Sequence, residues 1–352
     1  MTTEADARRT VISAIFGTLA TQAVGAAARL ELADRIGDGE AGTDELALAC
    51  GVPAEQLGRL LRALASLGLC VESRPGRFAL TEAGALLRRD TPASLLDFAA
   101  FLTHDVFQRN WLNLAESLGT GRPAFDTHFG EPVYDYLSGK PELAALFHAA
   151  MSKRHLPVEM AEAISGAYDL SRFGTVVDVG GGDGTLLAAL LERHPRLTGT
   201  VYETEAGTAR ARETVTASGL EKRCRAVAGD FFAEVPKGAD LYLIKNVVLN
   251  WDDERASTIL SRVRAAMPDH GKLLIAEPVL PEVADADSLN HAALENPYLT
   301  DLHMLVTIGG RQRTRAEYAT LCARAGLRVV QVAPLAQELN ASLIEAVPDS
   351  AV

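Results

Sequence analysis

The chain is poor in cysteine, in basic charge and in long apolar runs. Only four cysteines occur in 352 residues, at 50, 70, 224 and 322. No two lie close enough for a CxxC redox pair or a zinc clip, so buried, reduced thiols in a cytoplasmic protein are expected. Lys and Arg number 34 against 46 Asp and Glu, a formal charge of −12. Phosphate contacts need clustered Lys and Arg, so this balance argues against nucleic acid or an anionic membrane as a partner. No run is expected to reach the roughly 18 apolar residues that a membrane helix needs. The polar, acidic opening lacks the charged and then apolar segments of a secretory leader, and none is expected. Apolar residues still make up 48%, enough for a real core, which excludes disorder for the bulk of the chain. At about 100–200 residues per domain, the length suggests two domains or three.

Apolar side chains recur at helical spacing over 11–36, from Val11, Ile12 and Ile15 to Leu32 and Ile36. Thr43 with Asp44 and Glu45 opens a second helix that ends near Gly51. Val52-Pro53 starts a third, through Leu57, Leu60, Leu61, Leu64 and Leu67 to Gly68. Residues 69–72 and 77–80 read as strands joined by a Pro75-Gly76 turn. Helix, turn, helix and β-wing make a winged helix. Its third helix carries only Arg59 and Arg62 among many Leu and Ala. A dimerisation module is therefore the stronger reading than a DNA reader.

Residues 93–170 read as mostly helical, with many aromatics. From Thr175 the texture changes to apolar strands at 176–179, 200–203, 224–227, 241–244 and 272–276. Helical segments such as 186–193 and 254–267 separate them. This βαβ rhythm predicts an α/β fold with a parallel, doubly wound sheet.

The strongest motif is Val177-Asp178-Val179-Gly180-Gly181-Gly182-Asp183-Gly184-Thr185. Glycines at 180, 182 and 184 follow the first strand and precede a helix, letting a ligand approach the backbone. A dinucleotide fingerprint needs glycine where Thr185 stands, so a nucleoside without a pyrophosphate fits better. Glu203 ends the second strand, 19 residues past Gly184, where a carboxylate can accept both ribose hydroxyls. After the third strand, Asp230 can accept from an adenine amine while a Phe covers the ring face. Lys245-Asn246 follows the fourth strand and opens toward the same end of the sheet.

Residues 11 to about 347 resemble the S-adenosylmethionine-dependent small-molecule O-methyltransferases of the caffeate, hydroxyindole and antibiotic-tailoring type. The resemblance rests on the stretches at 177–184, 229–232, 251–254, 276–281, 301–305 and 309–314. It implies a class I methyltransferase, Rossmann-like sheet behind an N-terminal helical winged-helix dimerisation domain, in a homodimer. The expected divisions are 1–100 for dimerisation, 101–170 for a helical connector contributing to the substrate pocket, and 171–352 for S-adenosylmethionine binding. It also implies that Gly180 and Gly182 line the cofactor, that Glu203 takes the ribose, that Asp230 and Phe231 hold the adenine, and that Lys245 belongs to this site. Arg154, Met151 and His155 fall in a segment that the family uses near the methyl donor. Met304 and His104 complete the candidate substrate-binding set.

The chain departs from the family at its catalytic base. Many members read Leu-His-Asp-Trp, where this chain reads Val248-Leu249-Asn250-Trp251. Leu249 occupies the His position, and leucine takes no proton. Glu277 matches the first of two flanking glutamates, and Gln312 stands where the second would be. Three readings follow. Methyl transfer can proceed by positioning an acidic hydroxyl. Another group can act as base, His303 before His104, His155 or His291. Or the fold binds the cofactor for hydroxylation, decarboxylation or rearrangement without methyl transfer. His303, Glu277 and Asn250 form the candidate catalytic set; no metal site is expected. The principal expectation is O-methylation of an aromatic or polyketide-like natural product.

Overall fold

The computed structural model describes residues 4–91, 94–154, 157–284, 296–336 and 339–349, with the side chains of 152–154 set aside. His155, His291 and the Arg154 side chain therefore lie outside the described residues. The chain divides into two compact units: Met1–Leu112 with Val133–Arg154, and Asn113–Pro132 with His155–Val352.

The first unit opens with α1 (Glu4–Arg29) and α2 (Leu32–Ile36). A single helix over 11–36 is not what forms. Glu31 takes the left-handed conformation, with φ 49°, and the turn re-aims the chain. Leu32 and Ile36 are buried while Val11, Ile15, Phe16 and Leu19 on α1 stay exposed. By length and composition alone α1 is long and apolar enough to cross a membrane, contrary to the expectation that no run would be. Next come β1 (Glu40–Gly42), α3 (Thr43–Cys50), α4 (Ala54–Ser66), β2 (Cys70–Arg74) and β3 (Arg77–Leu80). The wing has three strands in the order β1-β3-β2, all antiparallel. Leu57, Leu61 and Leu64 share one face of α4 and bury it with Leu46 and Phe78. Arg62 on α4 is bound to Glu72 through two hydrogen bonds of 3.1 Å.

Helices α5 (Glu82–Ala85), α6 (Leu96–Leu102), α7 (Asp105–Trp111), α8 (Leu114–Thr120), α9 (Ala124–Phe129), α10 (Val133–Ser138), α11 (Pro141–Arg154) and α12 (Pro157–Ala167) follow. The segment expected as one connector is shared between the units. Phe147 on α11 packs edge-on against Phe101 on α6, with ring centroids 5.5 Å apart, which ties α11 to the first unit. Helices α8, α9 and α12 belong to the second.

The second unit continues with β4 (Thr175–Val179), α13 (Thr185–Arg193), β5 (Thr198–Glu203), α14 (Glu205–Ala217), β6 (Cys224–Ala228), β7 (Leu241–Lys245), α15 (Asp253–Ala266), β8 (Lys272–Glu277) and β9 (Val279–Leu280). It closes with α16 (Pro297–Thr307), β10 (Arg313–Thr314), α17 (Arg315–Arg324), β11 (Leu327–Pro334) and β12 (Ser342–Pro348). Seven strands form one sheet in the order β11-β12-β8-β7-β4-β5-β6. Strands β4 to β8 run parallel, and β12 and β11 join antiparallel. Leu187 and Leu191 of α13 cover one face, and Ile259, Leu260 and Val263 of α15 the other. The chain runs from β4 outward to β6, then crosses back to place β7 on the other side of β4. The loops after β4 and β7 therefore diverge, and a ligand crevice opens at the carboxyl ends of these strands. Cys70, Cys224 and Cys322 are buried thiols, whereas Cys50 is half-buried. Burial pushes Cys224 up to about 11 and Cys322 up to about 12.

Candidate functional site

The glycine turn after β4 is built for close approach. Gly180 has φ +73°, and a Cβ there would meet Val247 Cγ2 at 2.6 Å, so only glycine fits between the turn and the loop after β7. Gly182 has φ +60°, and a Cβ there would enter open space. That opening is where a ligand can reach the backbone. Glu203, at the end of β5, faces it: Oε2 accepts from Gly182 N–H at 3.0 Å and Oε1 accepts from Thr204 N–H at 2.8 Å. Each oxygen keeps capacity for a further donor such as a ribose hydroxyl.

Asp178 lies beneath the turn and is 1% exposed. Its Oδ2 has no partner among the described residues. Burial, then the neighbouring Glu203 charge, pushes its carboxyl up to about 7, with Lys245 acting in the opposite direction. A buried acceptor beside a second carboxylate favours a cation. S-adenosylmethionine carries positive charge on both its sulfonium and its ammonium, so the residues present fit it. Asp230 is exposed, and its Oδ1 accepts from Phe232 N–H at 2.8 Å. The Phe231 ring lies 3.7 Å from the Cβ position of Gly180 and meets Trp251 edge-on. It therefore borders the turn as a planar apolar wall.

The loop after β7 forms the opposite wall. Asn246 takes φ 53°, unusual for a residue with a Cβ. Asn250 Nδ2 donates to Asn246 O at 3.0 Å, closing the turn. Glu277, fully buried at the end of β8, holds this loop. Its Oε1 accepts from the N–H groups of Val247, Val248 and Leu249 at 2.8, 2.7 and 3.4 Å, and its Oε2 accepts from the Tyr318 hydroxyl at 2.6 Å. Burial pushes the Glu277 carboxyl up, and these donors act against that shift. Both oxygens are thus committed inward, which makes Glu277 an anchor of the loop. Leu249, at the expected base position, is 8% exposed.

The 309–314 segment locks onto the same loop. Arg311 N–H donates to Leu249 O at 2.9 Å. The fully buried Arg313 guanidinium donates to Val248 O, Trp251 O and Asp253 Oδ1. Burial opposes the Asp253 charge, but Arg313 overcomes this and leaves that carboxyl below the usual range. His303 is partly buried and Met304 is 6% exposed, both on α16. His104 and Met151 belong to the first unit. There His104 Nδ1 accepts from Val106 N–H at 3.3 Å as the cap of α7. Sequence reading passed over Asp178 as a site residue, although it stands inside the glycine motif. It also passed over Tyr318 and Arg313, which have no local signal because their partners lie tens of residues away.

The chain matches the O-methyltransferase domain over residues 111–328 and the O-methyltransferase dimerisation domain over 12–90. It is 40% identical to O-demethylpuromycin-O-methyltransferase of Streptomyces alboniger, across 97% of this chain and 89% of that protein. It is similar to the solved mitomycin 7-O-methyltransferase, with TM-score 0.87 and 33% identity over 98% of each chain. It is also similar to an O-methyltransferase from neocarzinostatin biosynthesis, solved with S-adenosylmethionine and 2-hydroxy-5-methyl naphthoic acid, with TM-score 0.79 and 35% identity over 93% of this chain and 95% of that one. With the glycine turn, its acidic surroundings and the anchored loop beside it, the chain belongs to the O-methyltransferase family and is an S-adenosylmethionine-dependent enzyme.

Proposed function

We propose that this enzyme methylates a hydroxyl of an aromatic or polyketide-like natural product, and that it does so by positioning an acidic hydroxyl rather than by removing its proton. The observation that carries this reading is Leu249, a buried apolar side chain at the base position, on a loop pinned by Glu277 and Arg313. When bound, S-adenosylmethionine supplies an electrophilic methyl group on a sulfonium. Gly180 and Gly182 admit it to the backbone, Glu203 accepts from its ribose hydroxyls, and Asp230 with Phe231 takes the adenine. Lys245 lies in the same site. Asn250 and Glu277 keep the loop rigid. Rigid placement of two reactants supplies up to ~7–11 kcal/mol in ideal cases, and an ionised phenol needs no base. Incubation with the labelled methyl donor and a panel of phenols tests the activity. A mass gain of one methyl group is expected, and no gain on any phenol would sink the reading.

His303 separates positioning from a substitute base. The His303→Gln variant is expected to keep turnover within about tenfold, inside the ~10²–10⁴-fold loss that accompanies removal of a general base. Turnover should rise with pH until the acceptor phenol is ionised. Complete loss with intact cofactor binding would instead make His303 the base.

The enzyme works as a homodimer in this proposal. Val11, Ile15 and Leu19 recur every four residues on α1, with Ile12 and Phe16 beside them, and all five are exposed in one protomer. Covering such a stripe together with the winged helix implies an interface beyond about 2,000 Å². Sedimentation should give twice 37.5 kDa. The double variant Ile15→Glu, Leu19→Glu should sediment as a monomer. A monomeric wild type at micromolar concentration would contradict the proposal.

A further inference from the structure

Gln312 combines a buried side chain with an unpartnered acceptor: the side chain is 2% exposed, and Oε1 has no hydrogen-bond partner among the described residues. A buried orphan of this kind costs about 1–3 kcal/mol and calls for a partner. The backbone on both sides is fixed. Gln312 N–H donates to Asp301 Oδ1 at 2.6 Å, Arg311 N–H to Leu249 O, and the Arg313 guanidinium to Val248 O. A Cβ on Gly310 would sit 2.3 Å from Leu249 O, so the segment lies directly against the loop that carries Leu249 at the base position. Tyr298, three residues before Asp301 and on the same side of α16, also has a buried hydroxyl oxygen without a partner among the described residues.

We propose that the Gln312 carboxamide binds the acceptor oxygen and makes the site selective for acidic phenols bound as phenolates. The proposal rests on the methyl-transfer reading above. A half-turn about the last side-chain bond exchanges Oε1 for Nε2 without moving the backbone, so the amide can donate to an anionic oxygen. A carboxylate at this position would repel a phenolate and hold its proton on. The charged and titratable groups around Gln312 are Asp301 on α16, Arg311 and Arg313 on its own segment, Asp253 on α15 and Glu317 on α17. Arg311 is engaged with Asp253 and Glu317, and Arg313 with Asp253. Glu277 is committed to the amides of residues 247–249, and His303 lies two residues after Asp301 on α16. With Leu249 apolar and Gln312 neutral, neither of these two positions penalises an anionic acceptor.

The test uses the intact enzyme with S-adenosylhomocysteine and 4-nitrophenol, whose ionised fraction is read from visible absorbance. Binding to wild type is expected to lower the phenol's apparent pKa. Gln312→Glu should raise it by about one unit or more relative to wild type, and should raise the KM of acidic phenols at least tenfold in turnover. Gln312→Leu should raise KM with a smaller change in apparent pKa. Cofactor affinity by calorimetry should stay at the wild-type value in both variants, which reports that they are folded. If Gln312→Glu does not fold, the Leu variant decides through KM. Unchanged KM and phenol titration in a folded variant overturn the proposal. A wild type that titrates bound phenol but methylates none overturns the methyl-transfer reading instead.

Discussion

Replacing Glu277 by Leu is expected to lower stability by about 4 kcal/mol or more, because it strands several buried donors at about 1–3 kcal/mol each. Those donors are the N–H groups of Val247, Val248 and Leu249 and the Tyr318 hydroxyl. Function should fall with stability. Val247 abuts the Gly180 turn, so slack in this loop reaches the cofactor cradle, and a displacement of about 1 Å can cost ~10²-fold in rate. Glu277→Gln is the informative companion. Its amide oxygen still accepts from the loop, and the Tyr318 oxygen can accept from the new amide, so a loss of only about 1–2 kcal/mol is expected, with most turnover retained. Urea unfolding and single-turnover rates check both variants. An anchor predicts that Gln resembles Glu. A proton acceptor predicts that Gln is stable but as inactive as Leu, and that result would replace the anchoring account.

The sequence displays the central parallel strands because they are short, mostly apolar runs buried on both faces, as in Val176–Val179 and Leu241–Ile244. Helix α15, between β7 and β8, carries one apolar face, with Ala256, Ile259, Leu260 and Val263 buried. The wing's first strand, Glu40–Gly42, escapes because three residues without a β-branched side chain carry no periodicity; it forms by pairing with Arg77–Ala79. The break at Glu31 escapes because the apolar spacing runs through it, and packing of Leu32 and Ile36 decides the geometry. The connector's division between the two units reflects contacts such as Phe101 with Phe147, which no local pattern announces. At the site, the glycine turn and Glu203 are legible because close backbone approach and a strand-end carboxylate leave marks in order along the chain. The inward commitment of Glu277 is not legible. An acid that receives the hydroxyl of Tyr318, 41 residues away, looks in sequence like an acid free to take a proton.

Cofactor affinity is expected to rise with pH from about 6 to about 8, and the apoenzyme to lose stability between about pH 4 and about 7. Both follow from Asp178. Its folded-state pKa is raised to about 7, against about 3.9 in an unfolded chain. A carboxyl raised in this way contributes stability that is fully present below about pH 4 and is lost as pH rises through about 7. Glu203 and Asp183 add to the cost of ionising it, and Lys245 offsets part of that cost. A cationic ligand reverses the balance, since it favours the ionised carboxylate. Binding should therefore expel a proton when the pH lies below about 7. Calorimetry at pH 6.5 in buffers of different ionisation enthalpy reads that proton directly. Asp178→Asn should bind S-adenosylmethionine at least about tenfold more weakly at pH 8, with affinity nearly flat from 6 to 8 and an apoenzyme that lacks this loss of stability between about pH 4 and about 7. Identical binding enthalpies in two such buffers, with a wild-type pH profile in the Asn variant, would show that Asp178 does not sense the cofactor's charge.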